Sequence, residues 1–156
     1  MKRTALLFFA LGLLEFVALA QEVKIRVVDG RNGRPVYGEI NADFFESDER
    51  GVAIGQRHNW RWLTPRTDED GLIHLRLEPT DKYLTVTPAD AVDCRLQKGE
   101  LPPVYFPLSS LGEIIQSGIA LENHCGKTRV APRPGELVLF VRPLHWWEKF
   151  FGGLFS

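Results

Sequence analysis

Apolar and polar positions alternate with a period of two through much of the first half of the chain. That is the spacing of half-buried strands, not of helices. In residues 22–28, Val23, Ile25 and Val27 fall on one side, and Lys24 and Arg26 on the other. Asp29-Gly30-Arg31-Asn32-Gly33-Arg34-Pro35 follows, a turn with positions suited to positive φ. Residues 36–45 read as a second strand and 47–51 as a charged loop. Residues 52–63 predict one or two strands ending at Pro65, and Thr67-Asp68-Glu69-Asp70-Gly71 is a strong turn signal. Residues 72–77 alternate again, with Ile73, Leu75 and Leu77 inward and His74 and Arg76 outward. Residues 83–87 form a further strand.

The pattern changes after Pro88. Residues 90–107 carry prolines and charge without a sustained period and read mostly as loop. Residues 109–117 are the best helix candidate: Leu111, Ile114, Ile115 and Gly118 are spaced for one face, and Ser110 with Glu113 resembles a capping box. Residues 125–135 read as loop, interrupted by Pro132 and Pro134. Residues 136–142 are apolar almost throughout, which predicts a central strand buried on both faces. Pro143 then opens a short aromatic segment, 144–155. Short strands separated by Gly and Pro turns argue for a mainly β sandwich. The inserted helix would cross between sheets or cap one end, and a second short helix would close the chain.

The N-terminus sets the expected compartment. Met1-Lys2-Arg3 precedes a ten-residue apolar run, Ala5 to Leu14, and Ala18-Leu19-Ala20 is an A-x-A site before Gln21. This is the layout of a signal peptide, 1–20, cleaved after Ala20. The run is too short to span a bilayer, which takes about 20 residues, so at most peripheral membrane contact is expected. Removing Lys2, Arg3 and Glu15 leaves 17 basic and 19 acidic residues, a formal charge of −2, which argues against a nucleic-acid partner. A secreted or periplasmic location follows. In that setting Cys94 and Cys125, an even count, read as one disulfide. Two separate buried thiols are the alternative. A zinc site at His124-Cys125 lacks a second ligand pair at suitable spacing.

Val23-x-Ile25-x-Val27-Val28-Asp29-x-x-x-Gly33-x-Pro35-Val36-x-Gly38, with Thr67-Asp68-x-x-Gly71-x-x-x-Leu75 after it, resembles the carboxypeptidase regulatory-like domain. The resemblance covers residues 22–87. It implies a transthyretin-like (prealbumin-like), Ig-like β-sandwich, grouped with carbohydrate-binding-like folds, and the domain would extend over 21–143. The second half, with Asn123-His124-Cys125-Gly126-Lys127 and Trp146-Trp147-Glu148-Lys149, is similar to small secreted bacterial proteins that carry this domain. Such a fold hosts many functions and does not itself imply one.

The candidate chemistry is sparse. His145-x-x-Glu148 matches a zinc half-motif, but a catalytic zinc needs three protein ligands, and no histidine follows Glu148. No G-x-S-x-G turn supports a hydrolase. Lys24 alternates outward and the last strand holds no Asn, which argues against an isopeptide bond. No catalytic residue, metal or cofactor is therefore expected.

Two aromatic clusters remain. In a strand, His58, Trp60 and Trp62 share one face, the Trp rings about 7 Å apart, and Arg57 and Arg61 share the other. The pattern favours packing of both rings into the core; the functional alternative is a ligand platform for sugar or peptide. In a helix from Pro143, residues 144–156, Trp147, Phe150, Phe151 and Leu154 form one face while Trp146 diverges. The tail packs on its own domain or serves as a partner or membrane interface. The expected function is a non-enzymatic binding or accessory module for an envelope protein or a polysaccharide. The alternatives are weak carbohydrate binding through the Trp-rich strand and an envelope-associated structural protein anchored by the tail.

Overall fold

The computed structural model describes residues 21–46, 60–97, 107–144 and 148, with Trp60 described in its backbone alone. Within them the chain is mainly β: two sheets and one short helix, the sandwich expected from the alternation. The strands are β1 (Glu22–Asp29), β2 (Ile40–Phe45), β3 (Trp60–Leu63), β4 (Leu72–Arg76), β5 (Tyr83–Pro88), β6 (Ala91–Asp93), β7 (Ser109–Ser110), β8 (Ile119–Ala120) and β9 (Glu136–Pro143); the helix is α1 (Leu111–Ser117). The first sheet runs β4-β1-β9-β6, with β8 also on β9; the second runs β3-β2-β5-β7. β1 and β9, the first and last strands among the described residues, pair in parallel, Lys24 with Glu136 through Asp29 with Val141, at the centre of the first sheet.

The inward positions of both sheets meet in one core. Val23, Ile25 and Val27 of β1 and Leu137, Leu139 and Val141 of β9 face Ile40, Ala42 and Phe44 of β2 and Leu84 and Val86 of β5. Ile73 and Leu75 point inward as the alternation requires, and Leu77 packs against the same core. The apolar run of β9 has its predicted explanation, because its opposite face is buried too. Val138 and Phe140 pack with Val28, Cys94, Cys125 and Val130 on the outer side of the first sheet.

Residues 121–135 cover that outer side as a strap. Cys94 and Cys125 are disulfide-bonded with Cα atoms 5.1 Å apart. The His124 amide donates to Cys94 O at 2.7 Å, and Leu121 N–H donates to Val138 O at 3.0 Å. Asn123 Nδ2 donates to Gly30 O at 2.8 Å and to Thr128 O at 2.9 Å. Two glycines permit this close approach: a Cβ on Gly126 would lie 2.5 Å from Gly30 O.

Several boundaries differ from expectation. β2 begins at Ile40, not at 36, because Pro35 bridges to Val28 and Val36 N–H is taken by Val27 O at 3.0 Å. Residues 90–107 are not all loop, since Ala91–Asp93 pair with the end of β9. The helix starts at Leu111; Ser109 and Ser110 pair with Leu84 and Tyr83 as a strand, and the Ser110 hydroxyl makes no capping bond. The helix does cross between sheets, running from β7 in the second to β8 in the first, with Leu111 and Ile114 buried in the core. Pro143 is the last residue of β9, and the tail after Leu144 lies outside the described residues apart from Glu148.

Candidate functional site

In β3 the alternation places Arg61, not Trp62, toward the interior. Its guanidinium lies 4.1 Å from the centroid of the fully buried Phe44. It pairs with Asp81 and donates to Arg76 O in the first sheet at 3.1 Å. A charged side chain turns inward here because its head finds a carboxylate and a carbonyl at the sandwich margin while its body covers an aromatic ring.

Trp62 consequently faces outward. It is 57% exposed, which corrects the expectation that it packs into the core. Trp60 occupies the β3 position opposite Phe45. His58, the third member of the proposed platform, lies outside the described residues.

Strand register builds the surroundings of Trp62. Trp62 pairs with Asp43 of β2, and Asp43 pairs with Thr85 of β5, so the three form one cross-strand row on the outer face. The adjacent rows place Phe45 beside Tyr83 and Asn41 beside Thr87. Two polar groups in the central row are unusual. Burial pushes the Asp43 carboxyl above its ordinary value, with no hydrogen bond or cation among the described residues opposing it. Thr85 Oγ1 is buried without a hydrogen-bond partner. Unsatisfied buried polar atoms are rare and costly in folded proteins. Here one such atom, with a half-buried carboxyl next to it, sits beside a large exposed ring.

Comparison with known family models, with curated proteins and with solved structures found no match.

Other candidates are weaker. A shallow groove on the first sheet, with Arg26, Val28, Pro35, Leu72 and Val130 in its walls, has a volume of about 260 Å³. That is below the usual range for small-molecule sites, about 300–1,000 Å³. Its guanidinium is engaged, since Arg26 pairs with the buried Glu136 at 2.6 Å. Among the described residues no cluster of three or more His, Cys, Asp or Glu side chains is arranged to hold a metal. Glu148, of the zinc half-motif, places its carboxylate on Arg142 through two bonds of 2.8 Å. His145, Trp146, Trp147, Phe150 and Phe151 lie outside the described residues, as does the signal segment 1–20.

The Asp43 carboxyl carries a stability consequence with a definite sign. Its folded-state pKa is raised, so ionisation is disfavoured in the native protein. The penalty is absent below the ordinary value of 3.8, grows as pH rises toward the folded pKa, and is constant above it. Asp43→Asn is therefore expected to raise the melting temperature at neutral pH, with the gain shrinking to nothing on acidification. Thermal melts of both proteins across that pH range test this; an Asn variant that is less stable at neutral pH would contradict it.

Proposed function

We propose that the protein is an exported, non-enzymatic binding module whose recognition surface is the outer face of the second sheet, and that its ligand is a neutral carbohydrate. The observation that carries this reading is the row Trp62–Asp43–Thr85: an exposed indole beside a desolvated carboxylate and an unpartnered hydroxyl. A pyranose presents an apolar C–H face and a rim of hydroxyls. The indole can stack on the first; the carboxylate and the threonine hydroxyl, with Asn41 and Thr87 nearby, can bond the second. A carboxylate without a cation disfavours acidic polymers.

Export is supported by the A-x-A site and by a disulfide that suits an oxidising compartment. We also propose membership of the carboxypeptidase regulatory-like domain. Its motif residues occupy β1, the following turn and the Asp68–Gly71 turn that starts β4. In that turn Gly71 sits at φ 72°, with Val27 O 2.7 Å from where a Cβ would stand.

Affinity electrophoresis through gels containing soluble neutral polysaccharides tests the function. Wild-type protein is expected to be retarded by at least one of them. Trp62→Ala is expected to weaken binding at least about tenfold, since removing a central Trp costs about 2 kcal/mol or more. Its stability is expected to change by no more than about 0.5 kcal/mol, as for an exposed position. Equal retardation of wild type and Trp62→Ala would refute the assignment.

A further inference from the structure

The outer face does not end at Trp62. Glu39 and Arg66 form an antiparallel bridge that continues the register pairing Ala42 with Leu63. Glu39 and Arg66 therefore stand two rows beyond Asp43 and Trp62 on the same face, with Asn41 and Thr64 between them. Arg66 Nε donates to Glu39 Oε2 at 3.2 Å. Tyr37 lies near enough to Arg66 to add, after Glu39, to holding its guanidinium charged. Tyr37 is 69% exposed, and it and Trp62 are the exposed large hydrophobic side chains among the described residues.

Resting on the carbohydrate reading above, we propose that Tyr37, Arg66 and Glu39 form a second subsite, so that the ligand is a linear neutral glycan lying along β3. Arg66 is four residues from Trp62, about 13 Å in an extended strand. One sugar ring cannot reach both aromatic side chains; a chain of several can. The residues between them, Asn41 and Thr64, offer donors and acceptors without charge. Pairing neutralises Arg66 with Glu39, so the second subsite carries no free cation to attract an anionic chain. The same pair presents guanidinium N–H donors next to carboxylate acceptors, an arrangement suited to neighbouring hydroxyls. Tyr37 adds a ring for stacking at the far end.

Calorimetric titration with cello- and chito-oligosaccharides, from disaccharide to hexasaccharide, tests the proposal on wild type, Tyr37→Ala and Trp62→Ala. Wild-type affinity is expected to rise by about tenfold once the oligosaccharide spans both subsites, the scale of one aromatic contact. Tyr37→Ala is expected to lose that rise and to keep the affinity of wild type for the shortest ligand bound. Trp62→Ala is expected to weaken binding at every length. Should Tyr37→Ala keep the wild-type dependence on length while Trp62→Ala binds weakly, the second subsite is wrong and the first stands. Should no oligosaccharide bind in a Trp62-dependent manner, the carbohydrate reading fails and the second subsite with it.

Discussion

Replacing Arg95 by alanine is expected to cost about 3–5 kcal/mol of folding stability, the range for removing one partner of a buried ion pair. Arg95 and Asp93 have side chains 8% and 5% exposed. The guanidinium Nε lies 3.0 and 3.1 Å from the two Asp93 oxygens, and the Arg95 amide donates to Asp93 Oδ1 at 2.9 Å. The same guanidinium donates to Val86 O in the opposite sheet. Arg95 thus ties β6 to β5 at one corner of the sandwich. Arg61 does the reverse toward the opposite edge, reaching from β3 to the end of β4. Without Arg95, Asp93 is left charged and buried. Urea unfolding is the measure, and the loss is expected to persist at high salt because the pair is shielded from solvent ions. A double variant, Asp93→Asn with Arg95→Met, is expected to recover part of the loss, since no charge then remains buried. An Arg95→Ala variant as stable as wild type would contradict the role of Arg95 in tying β6 to β5.

Removing the disulfide is expected to have a comparable effect. Cys94 and Cys125 are separated by 31 positions, for which the chain-entropy model gives about 3.5–4 kcal/mol. The consequence is local as well as global. The bond holds the strap against Val28, Val138 and Phe140, so its loss opens the outer side of the first sheet before the main core is disturbed. Hydrogen exchange on the Cys94→Ala, Cys125→Ala protein is expected to show lost protection at the amides of Leu121 and His124. The amides of β2 and β5 are expected to stay protected. Uniform loss across both sheets would show that strap and sandwich unfold as one unit.

The sequence made some of this architecture legible and hid other parts for physical reasons. Val23, Ile25 and Val27 declared their face because Lys24 and Arg26 separate them. The run 137–141 declared burial on both sides because it contains no polar residue. β6 and β8, of three and two residues, are too short to show a period; they are strands only because β9 offers its edge. Trp60-Arg61-Trp62 is compatible with either face outward. What decides it is Asp81, about twenty positions away in sequence, which the fold brings to Arg61. The row Trp62–Asp43–Thr85 depends on the register of three strands, and no local pattern around Asp43 or Thr85 marks them. Tyr37 was hidden likewise, inside a stretch expected to be ordinary strand.

The most direct test of the recognition surface is a two-dimensional NMR titration of the isotope-labelled protein with the longest cello- or chito-oligosaccharide that binds. Shifts are expected at the Trp62 indole N–H and at the amides of Asn41, Asp43, Thr85 and Thr87, extending to Tyr37 and Arg66, with the first sheet and the strap unmoved. Shifts concentrated on the groove beside Arg26 and Val130, with Trp62 and Asp43 silent, would contradict this expectation.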